Sequence, residues 1–228
     1  SLQTINLVEG ADAVCVFVND KVNAAVCKQL AAKGVKVIAL RCAGFNNVDV
    51  EAVKANGLRA CRVPAYSPEA VAEHALAMIL TLNSKTHKAY NRVREQNFSL
   101  NGLLGFNLHG KTVGVVGTGN IGKAFCRIML GMGCQVKAFD LIANKDLEAL
   151  GVSYHPLVEV LKADIVSLHC PLNNQTRHLI NNSTIAMMQK GVMLINTSRG
   201  GLVDTKDAIE GLKSGQLGYL AIDVYEQE

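Results

Sequence analysis

Short apolar runs alternate with segments of helical periodicity along nearly the whole chain. In its first part, the runs Ala13–Val18, Val35–Leu40 and Leu58–Val63 are separated by two helical segments, Asn23–Lys33 and Val48–Asn56. Strands that alternate with helices of this length form βαβ units, whose strands are parallel. The alternation therefore predicts an α/β fold built on parallel sheets.

The same alternation resumes after residue 110. The predicted strands are Thr112–Val116, Gln135–Phe139, Asp164–Leu168, Val192–Ile195 and Tyr219–Ile222. The predicted helices are Ile121–Met132, Leu157–Leu161, Ser183–Gln189 and Lys206–Lys213. Two series of βα units in one chain of 228 residues favour two domains.

One long helix is predicted between the two series, from Ser67 to Arg94. Ser67 can cap the helix, and Pro68 suits the first helical position. The helix has small and apolar residues on more than one face, which indicates deep burial or contact with another subunit. We place the domain boundary near Tyr66.

Charge and cysteine usage exclude several classes of protein. The net charge is only +4, and lysines and arginines are spread along the chain, so neither nucleic acid nor an anionic membrane is expected as a partner. The seven cysteines contain no CxxC pair, so no disulfide framework, zinc ribbon or other metal site is expected. Free cysteines in apolar runs favour a reducing, cytoplasmic location. No apolar stretch reaches the length of a membrane-spanning helix, and no signal peptide is visible.

The ends of the sequence also carry an expectation. It begins at Ser1, without an initiator methionine, in a segment that resembles the middle of a domain. It ends at Glu228, directly after a strand-like run. We therefore expect the sequence to be a piece of a longer chain.

A glycine-rich turn follows the predicted strand Thr112–Val116, with the residues Gly117, Thr118, Gly119, Asn120, Ile121 and Gly122. In a GxGxxG turn the first glycine permits the tight turn, the second lets the backbone approach a pyrophosphate, and the third lets helix and strand pack closely. The helix N-terminus adds free N–H groups for the phosphates. The spacing alone is a weak signal, because a glycine-rich turn without a ligand is the alternative. The flanking strand and helix favour a dinucleotide site.

Asp140 strengthens this interpretation and indicates which cofactor binds. It follows the predicted strand Gln135–Phe139 and lies 18 residues after Gly122. The carboxylate that binds the adenosine ribose is expected about 20 residues after the glycine motif. Because a carboxylate accepts from the ribose 2′-OH and repels a 2′-phosphate, Asp140 predicts NAD rather than NADP.

Six further motifs occur in the order typical of one family. They are Arg41-Cys42-Ala43-Gly44-Phe45-Asn46-Asn47-Val48-Asp49, Val63-Pro64-Ala65-Tyr66-Ser67-Pro68, Ala72-Glu73-His74-Ala75, His169-Cys170-Pro171-Leu172, Asn196-Thr197-Ser198-Arg199-Gly200-Gly201-Leu202-Val203-Asp204 and Asp223-Val224-Tyr225-Glu226. Together they resemble the D-isomer-specific 2-hydroxyacid dehydrogenases, and most closely the fermentative D-lactate dehydrogenases. The resemblance spans essentially the whole chain.

The resemblance implies two Rossmann-like domains, with the cofactor domain inserted into a flavodoxin-like substrate domain. Residues 1–65 would then be an incomplete substrate domain, without its first strand and helix. Residues 66–228 would be the NAD-binding domain, including a helix that forms a homodimer or larger homo-oligomer.

The resemblance also implies catalytic roles. Arg199 follows the strand Val192–Ile195, where its guanidinium fork can bind the substrate carboxylate; a surface arginine at a strand end is the alternative. Glu228, 29 residues further on, would pair with a catalytic histidine, raise its pKa and fix its tautomer. Glu226 is the competing candidate for that role.

The catalytic histidine itself is expected downstream of Glu228. His74 is predicted to be a structural hydrogen-bonding residue, and His169 could contact the cofactor. The remaining histidines are expected at the surface: His87, His109, His155 and His178.

Binding roles follow from the same resemblance. The backbone N–H groups of Ala43 and Gly44, together with Tyr66, would bind the substrate. Besides the glycine turn and Asp140, the cofactor would contact Asn120, Ile121, Cys170, Pro171, Thr176, Thr197 through its backbone, and Asp223. A nucleophilic role for Cys170 is the alternative to its role as a wall of the cofactor pocket.

The predicted function is an NAD-dependent D-lactate dehydrogenase that interconverts pyruvate and D-lactate. Asn46-Asn47 and Tyr66 favour the lactate type over a D-2-hydroxyacid dehydrogenase with a larger substrate pocket. A cofactor-sensing protein resembling an NAD-responsive corepressor is the alternative from another class, because fold does not determine function.

Overall fold

The computed structural model describes residues 3–64 and 67–226. The chain divides into two compact units, Ser1–Tyr66 and Ser67–Glu228. Each unit contains its own sheet, and all strand pairs in both sheets are parallel. The α/β fold with parallel sheets that the alternation predicts is therefore confirmed.

The first unit is a small three-stranded sheet of order β1-β2-β3. Its elements are β1 (Ala13–Val16), α1 (Ala24–Ala32), β2 (Val37–Leu40), α2 (Val50–Ala55) and β3 (Arg59–Arg62), preceded by a 3-10 turn at Ile5–Leu7. Both helices begin at a side-chain cap, in which Asn23 accepts from the N–H of Val26 and Asp49 from that of Ala52. A core of buried aliphatic side chains from these elements holds the unit together.

The second unit is a six-stranded sheet with helices on both faces. Its strands are β4 (Thr112–Val116), β5 (Gln135–Phe139), β6 (Ser153–Tyr154), β7 (Ile165–Leu168), β8 (Val192–Asn196) and β9 (Leu217–Ile222). Its helices are α3 (Pro68–Ser84), α4 (Thr86–Arg94), α5 (Asn120–Gly131), α6 (Lys145–Ala149), α7 (Leu157–Val160), α8 (Asn182–Met187) and α9 (Thr205–Ser214), with a 3-10 turn at Gly200–Leu202. The order β6-β5-β4-β7-β8-β9 is that of a dinucleotide-binding Rossmann sheet.

Two apolar cores cover the faces of this sheet, because successive strand residues point to opposite sides. On β8, Met193 and Ile195 belong to one core, and Val192 and Leu194 belong to the other. All four are buried. A strand buried on both faces appears in the sequence as an uninterrupted apolar run, which explains why β8 could be predicted.

The single long helix predicted from Ser67 to Arg94 is wrong, because it is two helices. Ser67 and Pro68 begin α3 as predicted, but Lys85 adopts a left-handed conformation (φ 51°, ψ 34°) and separates α3 from α4. The Asn83 side chain at this break accepts from the Phe106 N–H at 2.8 Å and donates to its carbonyl. The ammonium of Lys85 donates to the Leu104 carbonyl. A distant loop therefore fixes the end of α3.

Two elements near the sheet edge lie outside the predicted pattern. Helix α6 and the two-residue strand β6 follow Asp140, and Tyr154 on β6 pairs with Ala138 on β5. Such short elements contain too few residues to show a period. In the described ranges, no helix is long and apolar enough to cross a membrane.

Candidate active site

The strand order of the second unit reverses between β4 and β7, which lie side by side at its centre. In open α/β sheets, ligands bind at the carboxyl ends of the strands where the order reverses. Gly117 follows β4 at this point, and His169 follows β7. The predicted glycine turn therefore lies where this fold places its ligand.

Two glycines of the turn are required by close packing. Gly117 has φ +94°, which disfavours any side chain, and a carbon added to it would lie 2.7 Å from the Cys170 nitrogen. A carbon added to Gly122 would lie 2.0 Å from the Gly117 carbonyl oxygen. These contacts bring α5 directly against the ends of β4 and β7.

Gly119 is different, because no protein atom lies within 4 Å of the position that its side-chain carbon would take. Gly119 is also the N-cap of α5, and no side chain caps that helix. The N-terminus of α5, with Asn120 and Ile121 in its first turn, therefore has open space in front of it. Open space at an uncapped helix N-terminus fits the pyrophosphate of a dinucleotide.

Asp140 lies directly after β5, beside the glycine turn. Its Oδ2 accepts from the Thr118 N–H at 2.6 Å and from the Thr118 hydroxyl at 2.9 Å, and its Oδ1 accepts from the Leu141 N–H at 2.7 Å. Partial burial raises the pKa of this carboxyl, but the hydrogen bonds from Thr118, Leu141 and Ile142 outweigh that effect and hold the pKa below its usual range. Asp140 is therefore ionised near neutral pH, as an acceptor for a ribose hydroxyl must be.

The two side chains directly after β7, His169 and Cys170, are uncharged near neutral pH. Burial raises the pKa of the Cys170 thiol to about 11, so the thiol stays protonated near neutral pH and the nucleophilic alternative has no support. Burial lowers the pKa of His169 to about 4. Its Nε2 lies 2.9 Å from the Ser167 hydroxyl, and its ring packs on Phe125. A neutral, buried His169 is a poor proton donor.

Arg199 lies on the loop after β8, at the same edge of the sheet. The Asn196 side chain is fully buried and shapes this loop, because its Nδ2 donates to the Arg199 carbonyl at 2.8 Å and its Oδ1 accepts from the Ser198 N–H. The Ser198 hydroxyl donates to the Leu168 carbonyl. The loop is thus held to β7 and β8, which are rigid strands of the central sheet.

The segment after β9 packs against the Arg199 loop. A side-chain carbon on Gly200 would lie 1.9 Å from the Tyr225 carbonyl oxygen, so only glycine fits there. Asp223, predicted to contact the cofactor, donates its N–H to the Asn196 carbonyl and lies 3.3 Å from Nε2 of His74. His74 therefore contacts a predicted site residue.

Glu226 takes part in a cluster of charged and polar side chains. Its Oε1 lies 2.5 Å from Nε2 of His178, and its Oε2 accepts from the Thr205 hydroxyl at 2.8 Å. The hydrogen bonds from His178 and Thr205 hold the pKa of Glu226 below its usual range. His178, expected at the surface, is partly buried, because its ring is only 31% exposed and also lies 3.4 Å from Asp204. Glu226, the competing candidate for the partner of the catalytic histidine, therefore already has hydrogen-bond partners of its own.

Two of the residues predicted to bind substrate, Ala43 and Gly44, follow strand β2. In the first unit, the carbonyl of Ala43 accepts from Arg62, and that of Gly44 accepts from the Cys42 thiol. Tyr66 and Glu228 lie outside the described residues, so their roles stay predictions.

Two threonines and a proline complete the predicted cofactor contacts. The Thr176 hydroxyl donates to the carbonyl of Pro171 at 2.6 Å and is therefore occupied within its own loop. The Thr197 hydroxyl is buried without a partner in the described part of the chain. A buried hydroxyl in this position leaves one polar group available to a ligand.

Two family models match the chain. The D-isomer specific 2-hydroxyacid dehydrogenase catalytic domain matches residues 1–101, and the NAD binding domain of the same family matches residues 76–228. The chain belongs to the D-isomer specific 2-hydroxyacid dehydrogenase family. The predictions of this family, of its fold and of NAD as the cofactor of its second domain are thereby confirmed.

Relatives of known name agree with this membership. The chain is 56% identical over 228 residues to 2-hydroxyacid dehydrogenase homolog 1 of Schizosaccharomyces pombe, covering 99% of this chain and 69% of that protein. It matches the apo-structure of D-lactate dehydrogenase from Escherichia coli at 51% identity with a TM-score of 0.91, covering 100% of this chain and 72% of that one. It matches D-lactate dehydrogenase from Aquifex aeolicus, solved with NAD and lactic acid, at 38% identity and a TM-score of 0.92, covering 98% and 67%. The chain thus spans about two thirds of the length of these relatives.

The sequence alone does not predict roles for three residues of this 2-hydroxyacid dehydrogenase site. Thr118 contacts Asp140, Tyr154 contacts Thr118, and Asn196 shapes the Arg199 loop. Thr118 and Asn196 lie inside the motifs quoted above, so their positions in the sequence already indicate that they belong to the site. Tyr154 lies on a two-residue strand and carries no such signal.

Proposed function

We propose that the chain is the larger part of an NAD-dependent D-lactate dehydrogenase, which transfers a hydride between NADH and pyruvate. The observation that carries the proposal is the joint placement of Asp140, the glycine turn and Arg199 at the carboxyl edge of one sheet. Asp140 and the turn provide for a dinucleotide, and Arg199 provides a permanent positive charge for a 2-oxo acid.

Different groups of the chain would bind the cofactor and the substrate. The α5 N-terminus binds the pyrophosphate, and Asp140 accepts from the adenosine ribose. When bound, the reduced nicotinamide would supply the hydride to C2 of the 2-oxo acid, and the oxidised form would accept it in the reverse direction. The Arg199 guanidinium binds the carboxylate and stabilises the negative charge that develops on the C2 oxygen during reduction.

A proton must reach the C2 oxygen when the hydride reaches C2. We assign Glu228 to orient the histidine that donates this proton and to stabilise its protonated form. Glu226 is already hydrogen-bonded to His178 and Thr205. In the first unit, the loop at Ala43 and Gly44, with Tyr66, would contribute the substrate contacts. These assignments rest on the family motifs in which the residues lie.

The names of the relatives support lactate among the possible substrates. The Escherichia coli protein is named a D-lactate dehydrogenase, and the Aquifex aeolicus structure contains NAD and lactic acid.

Substrate preference tests this proposal. With full-length protein and NADH, we expect kcat/KM to be at least about tenfold higher for pyruvate than for phenylpyruvate or 2-oxoisocaproate, since a pocket matched to a methyl group excludes larger side chains. Initial rates of NADH oxidation measure the three efficiencies. Preference for a bulky acid would contradict the lactate assignment, and NADH binding without any turnover would favour a sensing role instead.

We also propose a cytoplasmic homo-oligomer. All seven cysteines, which lie in the described ranges, are free thiols, as expected in a reducing compartment. Large apolar side chains are exposed along α4 and the loop that follows it: Tyr90, Val93, Phe98, Leu100 and Leu104. Such a concentration of exposed apolar surface is typical of a subunit contact.

The oligomeric state can be measured directly. We expect sedimentation equilibrium of the full-length protein to give at least twice the monomer mass, and Leu100→Asp to shift the population towards monomer, because the aspartate would place a charge in an apolar contact. Leu141→Asp is the matched control, because Leu141 is also exposed but follows β5, far from α4 in the sequence. It should leave the mass unchanged. A monomeric unmodified protein would contradict the proposal.

A further inference from the structure

The carboxylate of Asp140 is the end of a chain of hydrogen bonds that begins on β6. The Tyr154 hydroxyl lies 2.9 Å from the Thr118 hydroxyl, and the Thr118 hydroxyl lies 2.9 Å from Oδ2 of Asp140. The Thr118 N–H also donates to the same Oδ2. Three residues that are far apart in sequence thus meet beside the glycine turn.

The negative charge of Asp140 determines which group donates and which accepts in each of these hydrogen bonds. An ionised carboxylate can only accept, so the single hydroxyl hydrogen of Thr118 points to Oδ2. Thr118 can then only accept from Tyr154, whose own hydrogen points to Thr118. Tyr154 therefore holds the Thr118 hydroxyl in the orientation in which it donates to Asp140.

The side chains that form these hydrogen bonds have little freedom to move. Thr118 is only 5% exposed, and Tyr154 packs against the apolar core that α3 and α5 form with the sheet. The backbone of Tyr154 is paired with Ala138 on β5, one strand away from the glycine turn. A hydroxyl fixed by the sheet and the core costs little entropy to position.

Both oxygens of the Asp140 carboxylate are held by hydrogen bonds. Oδ2 accepts two hydrogen bonds from Thr118. Oδ1 accepts the Leu141 N–H, and the Ile142 N–H also donates to this carboxylate. The carboxylate is therefore held in one orientation beside the glycine turn.

We propose that Tyr154 is a positioning residue for cofactor choice, which acts through Thr118 to hold the Asp140 carboxylate against the ribose and so enforces NAD over NADP. The proposal rests on the role of Asp140 in the proposed function. A carboxylate that is free to rotate could turn away from a 2′-phosphate. One that is held by two hydrogen bonds keeps its charge where the phosphate would lie.

Binding measured without substrate tests the proposal separately from catalysis. In fluorescence titrations of full-length protein, we expect Tyr154→Phe to lower the ratio of Kd for NADPH to Kd for NADH by about 3- to 10-fold, the effect of losing one hydrogen bond. The pKa of Asp140, followed by carbon NMR in cofactor-free protein, should rise towards its usual value. Tyr219→Phe is the matched control, since Tyr219 packs against the same core as Tyr154 but lies on β9 at the opposite edge of the sheet, and it should change neither quantity.

A double-mutant cycle distinguishes a relay through Thr118 from a general structural effect. Thr118→Val should lower the Kd ratio at least as much as Tyr154→Phe, and adding Tyr154→Phe to Thr118→Val should have no further effect. Thr118→Ser keeps the hydroxyl and should retain most of the ratio.

Two results would overturn the proposal. One is an unchanged Kd ratio in Tyr154→Phe, and the other is an equal further decrease when Tyr154→Phe is added to Thr118→Val. Failure of the unmodified protein to bind NADH would contradict the proposed function instead.

Discussion

Replacing Arg199 with glutamine is expected to lower kcat/KM for pyruvate by about 10³-fold, because the transition state loses a preorganised positive charge at the C2 oxygen and the carboxylate. Arg199→Lys keeps the charge but loses the bidentate fork, so we expect a smaller loss of about 10²-fold, divided between a lower kcat and a higher KM. Steady-state rates with pyruvate and NADH measure both variants.

The Kd of NADH shows whether Arg199 acts on the substrate. We expect it to change less than about twofold in Arg199→Gln, since the guanidinium is assigned to the 2-oxo acid. Arg127→Gln, at an exposed arginine on α5, controls for loss of one surface charge in the same domain. An Arg199→Lys enzyme with kcat and KM within about twofold of the unmodified protein would show that the arginine has another role.

Gly122→Ala is expected to weaken cofactor binding strongly and to destabilise the second unit. The added carbon would lie 2.0 Å from the Gly117 carbonyl oxygen, which is backbone and cannot rotate away. Relieving this overlap must move α5 or the turn, at a cost of about 1–3 kcal/mol or more. Thermal unfolding and NADH titration measure the two effects, and we expect a lower Tm and at least about a 100-fold higher Kd.

Gly131→Ala is the matched control for Gly122→Ala. Gly131 also lies on α5, but a carbon added there meets no protein atom within 4 Å. Alanine is favoured over glycine in a helix by about 1 kcal/mol, so the Tm should stay constant or rise. Equal losses in both variants would contradict the tight-packing role of Gly122.

The strands of the second unit could be predicted because the sheet is covered on both faces. β4 and β8 are largely apolar runs, whereas β5 alternates buried residues with more exposed ones, and the observed bounds of all three agree with the predicted ones to within one residue. The carboxyl-edge positions of Gly117 and Asp140 then follow from the order of the elements. This part of the site depends on local sequence and on one general rule of α/β folds.

The break at Lys85 could not be predicted, because its cause is distant in sequence. The helical pattern continues through Ser84 and Lys85, and the contacts of Asn83 with Phe106 and of Lys85 with Leu104 end the first helix. Tertiary contacts of this kind override local propensity.

The contacts that support the site could not be predicted for a similar reason. Tyr154 reaches Thr118 only through the pairing of a two-residue strand with β5. His178 lies in a polar segment typical of a surface loop, yet its ring lies between Glu226 and Asp204. Motifs identify the residues that bind ligands, whereas the residues that position them are apparent only in the folded chain.

The enantiomer of lactate formed from pyruvate and NADH by the full-length protein tests the central claim most directly. Chiral chromatography of the product, with NADH consumption followed in parallel, measures both the yield and the configuration. We predict D-lactate in an amount equal to the NADH oxidised. L-lactate, or NADH binding with no lactate formed, would contradict the assignment of this chain to an NAD-dependent D-lactate dehydrogenase.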